Sequence, residues 1–194
     1  MAYSWSDFAE YARAGMGKAP DFVYIRAAKS VIRDFCSRTQ AWVEPLDPVT
    51  VFANMTEVDM DLPGGADLVA VVSVVSDGGM ALVPGRDYFT LSSSNTLMFP
   101  VHAGEDTTLA VTAALMPSRN ATSLPDLLYD MYLDAITDGI IANLRSQSGQ
   151  EWYDPSIAMF HKSEYLLAIS RAKMNGYSGG RQNANLTVRM RPFC

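Results

Sequence analysis

The chain has 194 residues, 48% hydrophobic, 19% charged and 10% aromatic, with a formal net charge of −6 and a pI near 4.8. That composition can bury a sizeable core and excludes a disordered chain. The acidic balance makes the chain as a whole a poor match for wrapping nucleic acid through its phosphates, and no apolar run approaches the roughly 18–20 residues that span a bilayer.

The N-terminal stretch "MAYSWSDFAEYARAGMGK" has no basic run followed by an apolar one, so no secretory signal is expected. The two cysteines, Cys36 and Cys194, do not make a disulfide framework, which fits a reducing cytosol. Tyr3, Trp5, Phe8 and Tyr11 predict a short helix over about residues 4–14, ending in the Gly-rich "GMGKAP". Pro20 and Asp21 open a longer helix. Phe22, Ile25, Ala28, Ile32 and Phe35 recur every three or four residues and so share a face, with Cys36 at its border and Arg26, Lys29 and Arg33 elsewhere. The helix should end near Gln40, because "EPLDP" follows with two prolines.

From about 49 to 116 the period changes. Thr56, Val58 and Met60 alternate with Glu57, Asp59 and Asp61, the pattern of a strand with one wet face. "DLVAVVSVV" reads as a buried strand between Gly-rich turns, "MALVPGRDYFTLSSSNTLMFP" as two strands joined at "SSSN", and "TTLAVTAALMP" as a last strand that Pro117 stops. Five or six strands with short polar turns predict a small antiparallel sheet or sandwich.

Helical signals return in "SLPDLLYDMYLDAITDGIIANLRSQ". Ser123 and Asp126 have capping-box spacing. Leu124, Leu128, Met131, Ala135, Gly139 and Ala142 trace one face, whose small residues let another helix approach closely. Leu127, Tyr132, Ile136 and Ile140 add apolar surface beyond that face, so burial on more than one side is expected. Asp154 as N-cap and Pro155 as first residue start another helix, running to about Asn175, with Ile157, Phe160, Tyr165, Ala168, Ile169 and Ala172 as its core side and Gly176 as its stop. The tail "YSGGRQNANLTVRMRPFC" holds three arginines and no acid, whereas residues 45–115 hold nine carboxylates against Arg86 alone. A homo-oligomer or a fixed partner can use that asymmetry.

Few residues carry recognisable chemistry. His102 and His161 lack a second ligand at metal-binding spacing, and CxxC, GxSxG, GxxxxGK[ST] and GxGxxG are absent. "YSGGR" reads as a linker rather than a phosphate cradle. Glu57, Asp59 and Asp61 form an acidic sheet face with three readings: a solvated surface, a Ca²⁺ site or a dock for arginines. A catalytic Cys36 would need His102 or His161 beside it; the competing reading is a packed thiol next to Phe35. Trp42 and Trp152 sit just past helix ends, where a large ring can cap a core.

The stretch "AAKSVIRDFCSRTQAWVEPLDPVTV", with Ala27-Ala28, Asp34-Phe35-Cys36, Thr39 and Trp42, resembles the first long helix and following turn of head-to-tail adaptor (connector) proteins of tailed bacteriophages. "DMDLPGGADLVAVVSVVSDGGMALVPGRDYF" resembles that family's strand, Pro-Gly turn and paired strands. "ALMPSRNATSLPDLLYDMYLDAITDGIIANL", with Pro117, Ser118 and Ala121, resembles its second block, and "EWYDPSIAMFHKSEYLLAISRAK" its Trp-x-Asp-Pro turn and helix. The likeness covers about 20–175.

Together with the elements read along the chain, the resemblance predicts an α+β fold: a helical bundle of three long helices with an inserted small antiparallel β-module and an extended C-terminal arm. The divisions would be N-terminal helices at 1–45, the β-module at 46–117, further helices at 118–176 and a basic arm at 177–194. It implies a structural virion protein of the neck, assembled in the host cytoplasm, without enzymatic activity or cofactor. Its partners would be the portal protein, a downstream tail or nozzle protein, further copies of itself in a ring, usually of twelve, and viral DNA passing through without sequence-specific binding; no membrane partner is implied. The arm, through Arg181, Leu186, Val188, Arg189, Met190, Arg191 and Phe193, is the expected portal dock. Another neck component (a stopper or tail-completion protein) and a small thiol-dependent enzyme are the alternatives.

Overall fold

The computed structural model describes residues 3–16, 19–91, 94–100 and 105–177. These form a mixed α+β structure with four helices and two small antiparallel sheets. The helices are α1 (Trp5–Met16), α2 (Asp21–Thr39), α3 (Asp126–Arg145) and α4 (Pro155–Tyr177). The strands are β1 (Trp42–Pro45), β2 (Val49–Val51), β3 (Glu57–Asp59), β4 (Ala66–Ser76), β5 (Phe89–Leu91), β6 (Thr96–Met98) and β7 (Thr107–Pro117).

α3 lies at the centre of the helical layer and packs against α1, α2 and α4. Its Leu128, Ile136, Ile140 and Leu144 are fully buried. A Cβ on Gly139 would lie 2.5 Å from Val31 Cγ1 of α2 and 2.9 Å from the Tyr165 ring of α4, so glycine is what lets three helices meet there. The close approach expected of this small-residue face is therefore present. Two expectations fail. Ile136 and Ile140, read as spare apolar surface, are sealed inside the chain, and Met131, assigned to the core face, is 61% exposed. The physical reason is that α3 is covered by α1 and α2 as well as α4, which shifts its open side to the sector carrying Leu127, Asp130, Met131 and Asp134.

α2 ends as the prolines required. Gln40 takes a left-handed conformation (φ 52°), its N–H donating to the Cys36 carbonyl at 2.9 Å. The Thr39 hydroxyl donates to the Phe35 carbonyl at 2.7 Å and accepts the Ala41 N–H. The buried face runs through Tyr24, Ala28, Ile32, Phe35 and Cys36. Phe22, expected on that stripe, is 71% exposed, because the buried face of the first turn is set by Tyr24, two residues on and on the opposite side of the helix.

Half of a capping box forms, and elsewhere than predicted. Ser4 and Asp7 share the spacing of Ser123 and Asp126, and it is Asp7 Oδ2 that accepts the Ser4 N–H (2.6 Å) and hydroxyl (2.9 Å) at the start of α1. α3 has Pro125 as N-cap with no side-chain cap bond. Leu124 is held in a bridge by its N–H to the Tyr3 carbonyl at 2.8 Å, so the helix cannot begin at Ser123.

α4 begins as expected: Asp154 Oδ1 accepts the N–H groups of Ser156 and Ile157, both at 3.1 Å. It continues through Gly176 to Tyr177 instead of stopping before them. Ala158, Tyr165, Ile169 and Ala172 are buried, whereas Ile157 and Phe160, assigned to the core side, face outward. With apolar residues all round the helix, the small alanines set which side closes against α2 and α3.

β7 organises the larger sheet. Trp42 of β1 and Leu68 of β4 both oppose Leu115, and Val49 of β2 and Ser76 of β4 both oppose Leu109. β4 therefore lies along one edge of β7, and β1 and β2 follow one another along the other. β1 was not anticipated, since "WVEP" reads locally as a turn and becomes a strand only by pairing. The strands joined at "SSSN" are β5 and β6, with Phe89 opposite Met98, and β3 completes this second sheet in the order β3-β6-β5. The sheets share an apolar cluster that includes Trp42, Leu46, Val51, Leu97 and Val111. β4 corrects another expectation. Among the named strands it pairs with β7, and on its other side only its C-terminal end is met, by the Val75–Ala81 bridge; only Leu68 and Val74 are buried, and register shifts at Leu68/Ala70 and Val71/Ser73 break the strand as bulges do at sheet edges.

Arg33 ties the two layers together, donating to Asp67 of β4 at 2.7 Å and to the Pro117 carbonyl at the end of β7.

Candidate functional site

Cys36 sits in the helical core with no exposed surface. Burial pushes its thiol up to about 12, against a smaller lowering by Arg33. At neutral pH it is held protonated, the opposite of an activated thiolate. Tyr132 and Tyr165, both also raised chiefly by burial, are its electrostatic neighbours. His161 is engaged elsewhere: its Nδ1 lies 2.7 Å from Asp138 Oδ1, bridging α4 and α3. His102 lies outside the described residues. The structure gives Cys36 the environment of a packed thiol.

The acidic row is shorter than its spacing implied. β3 ends at Asp59, so Asp61 lies beyond the strand, while Glu57, Asp59 and Asp61 are all exposed. Asp59 accepts the Thr96 hydroxyl at 2.7 Å. Among the described residues, no three ligand-type side chains gather as a metal site. Other carboxylates of the sheet region hold local structure: Asp106 accepts the Ala53 N–H, Asp77 the Gly78 N–H and Asp67 the Arg33 guanidinium. The Arg86 guanidinium and the Val83 N–H together lower Asp87 to about 2. Much of the negative charge of this region is thus tied to turns and strand ends, and Glu57 and Asp61 remain outward.

The arm residues Arg181, Leu186, Val188, Arg189, Met190, Arg191 and Phe193 lie outside the described residues, as does Cys194. Trp42 and Trp152 are buried, Trp42 in the sheet cluster and Trp152 in the helical one.

What the sequence reading missed is the outward side of α4. Met159, Phe160, Leu167 and Met174 are exposed there, with Met159 at 73% and Phe160 at 61%. Phe160 and Leu167 are seven residues apart, two turns along one stripe, with Ser163 between them. The available signal was that α4 is apolar on all sides, a property of helices covered on more than one face. Beside this stripe, a groove runs along α2, against α4 over the second half of α2 and against the end of α3 and the α3–α4 turn over its first half. Two cavities of about 520 Å³ and about 710 Å³ share Ser30 and Asn143 as lining. The α2 wall is an unbroken row at four-residue spacing: Phe22, Arg26, Ser30, Asp34 and Arg38. Asp34 accepts the Tyr165 hydroxyl at 3.0 Å and faces Arg38 at 3.5 Å.

No protein-family model and no curated protein matches the chain. Among the described residues, no helix is long and apolar enough to cross a membrane.

Proposed function

We propose that the chain is a head-to-tail adaptor of a tailed bacteriophage, one subunit of a ring that docks on the portal and leads the DNA channel toward the tail. The observation that carries this reading is the outward apolar side of α4, which includes Met159, Phe160 and Leu167. A lone copy leaves these residues in water, and an obligate ring covers them, since such interfaces resemble a core cut in two. The ordered run of adaptor-like motifs over about 20–175 supports the same reading. In it, α2, α3 and α4 form the bundle that builds the ring, the strands form an inserted module, and the basic C-terminal residues reach the portal. The downstream face meets a tail or nozzle protein, and the site of action is the virion neck.

The test is an image of the neck assembled from this chain and its portal, with light-scattering mass of the chain alone and with portal. The expected result is a closed ring seated on the portal. A chain that remains monomeric and never attaches to a portal overturns the reading. Deletion of residues 178–194 should abolish attachment and leave the thermal unfolding of the remainder unchanged; undiminished attachment removes the arm from the account.

A further inference from the structure

The groove along α2 is basic. Arg26, Arg38 and Lys162 line it against one acid, Asp34, and Asp34 already faces Arg38. Neither Arg26 nor Lys162 has a carboxylate partner among the described residues. Apolar side chains flank the charges, with Phe22 at one end and Met159 and Leu166 on the α4 wall. Sixteen residues of helix separate Phe22 from Arg38, a length of about 24 Å.

The open side of α3 has the opposite character. Leu127, Asp130, Met131 and Asp134 follow the i, i+3, i+4, i+7 pattern of one helix edge. Met131 projects between two exposed carboxylates, neither of which has a cationic partner among the described residues. Ridge and groove share no residue. One carries two unpaired negative charges about an apolar knob, and the other carries two unpaired positive charges between apolar walls.

The geometry points to a head-to-tail contact between copies, in which the Asp130–Met131–Asp134 edge of α3 in one subunit enters the groove along α2 of the next. The occupant is a second copy of this chain, because the complementary charge and a helix edge short enough to fit both lie on the chain itself. Two different surfaces meeting make a heterologous contact, the kind that closes into a ring when the rotation allows. Helix edges entering helix grooves are also the ordinary mode of close helix packing. Asp130 and Asp134 come opposite Arg26 and Lys162, and Met131 packs against Met159 and Leu166. This contact rests on the ring reading and specifies one pair of surfaces that meet in the ring, beside the Phe160–Leu167 stripe of α4.

Charge exchange tests it. One variant carries Asp130→Lys with Asp134→Lys, and the other carries Arg26→Glu with Lys162→Glu; all four positions are exposed. Thermal unfolding verifies that each variant folds, and light scattering over a concentration series measures assembly. The expected result is that the wild type assembles, that each variant alone needs at least tenfold more protein to assemble, and that mixing the two restores assembly, since each reversed ridge then meets a reversed groove. Should either variant fail to fold, Met131→Ser supplies the readout, with weakened assembly expected at unchanged unfolding temperature. Wild-type rings that tolerate both exchanges overturn the contact and leave the ring reading standing, as does loss of assembly that mixing does not restore. A wild type that stays monomeric at every concentration, alone and with portal, overturns both.

Discussion

α3 and α4 look alike in sequence. Each is about five or six turns long, each is apolar on more than one side, and each carries small residues where a neighbour approaches. Their fates differ. α3 is closed over by α1, α2 and α4 along most of its surface, leaving an acidic edge open, whereas α4 is covered on a single side, where its Ala158, Tyr165, Ile169 and Ala172 meet α2 and α3. The pattern within a helix says that it has apolar surface to cover; its neighbours decide whether the chain covers it alone.

Substitutions along the two helices break or sharpen that contrast. The largest effect belongs to Ile140→Ala in α3. It removes a fully buried side chain, and the expected loss is about 2–5 kcal/mol in urea unfolding. At the point where the helices meet, Gly139→Ala sets a Cβ against Val31 and against the hydrogen-bonded ring of Tyr165. The crowding outweighs the gain in helix propensity, and a loss of about 1–3 kcal/mol is expected by the same measurement. On the covered side of α4, Tyr165→Phe deletes the hydroxyl that donates to Asp34 and to the Val31 carbonyl, for a loss of about 0.5–1.5 kcal/mol.

Cys36 provides a pH test of the covered side. Its folded-state value, about 12, stands above the ordinary value of 9. The unfolded chain therefore releases the thiol proton first. The contribution to stability is complete below pH 9 and is lost as the pH rises from there toward 12. Urea midpoints should fall more steeply over this range for the wild type than for Cys36→Ala. A parallel fall in both would place the thiol in a wetter setting than the fold describes. The smallest effect on folding is expected at Phe160→Ser on the open side of α4, within about 0.5 kcal/mol of wild type. That variant should nevertheless assemble poorly, and a stability loss comparable to Ile140→Ala would mean that α4 is covered on both sides within one chain.

Local signals predicted the stops and starts better than the faces. The prolines after Gln40, the Asp154-Pro155 pair and Pro117 mark real boundaries because each acts on its own backbone. Faces depend on partners, so Phe160 and Met131 were misplaced where an apolar period had no single phase. β4 looked buried because a valine-rich run suits either a central or an edge strand, and only its pairing with β7 distinguishes them. β1 was invisible, since "WVEP" has no strand pattern until it meets residues 112–115. Of the candidate residues, Cys36 was legible as a packed thiol from Phe35 beside it. The groove along α2 was not, because its opposite wall comes from the end of α3, the turn after it and α4, more than a hundred residues further on.

The crossing from β7 to α3 is short and fastened at each step. The Ser118 N–H donates to the Gly65 carbonyl, Lys29 to the Arg119 carbonyl, and the Trp5 indole to the Ala121 carbonyl at 2.6 Å. Gly65 itself has φ +80° and lies against Ala121, where a larger residue would be strained. Such a joint has no slack. A push delivered to the strands, as by a neighbour seating against them, is handed to the helices as a rigid displacement instead of being absorbed by a bending hinge.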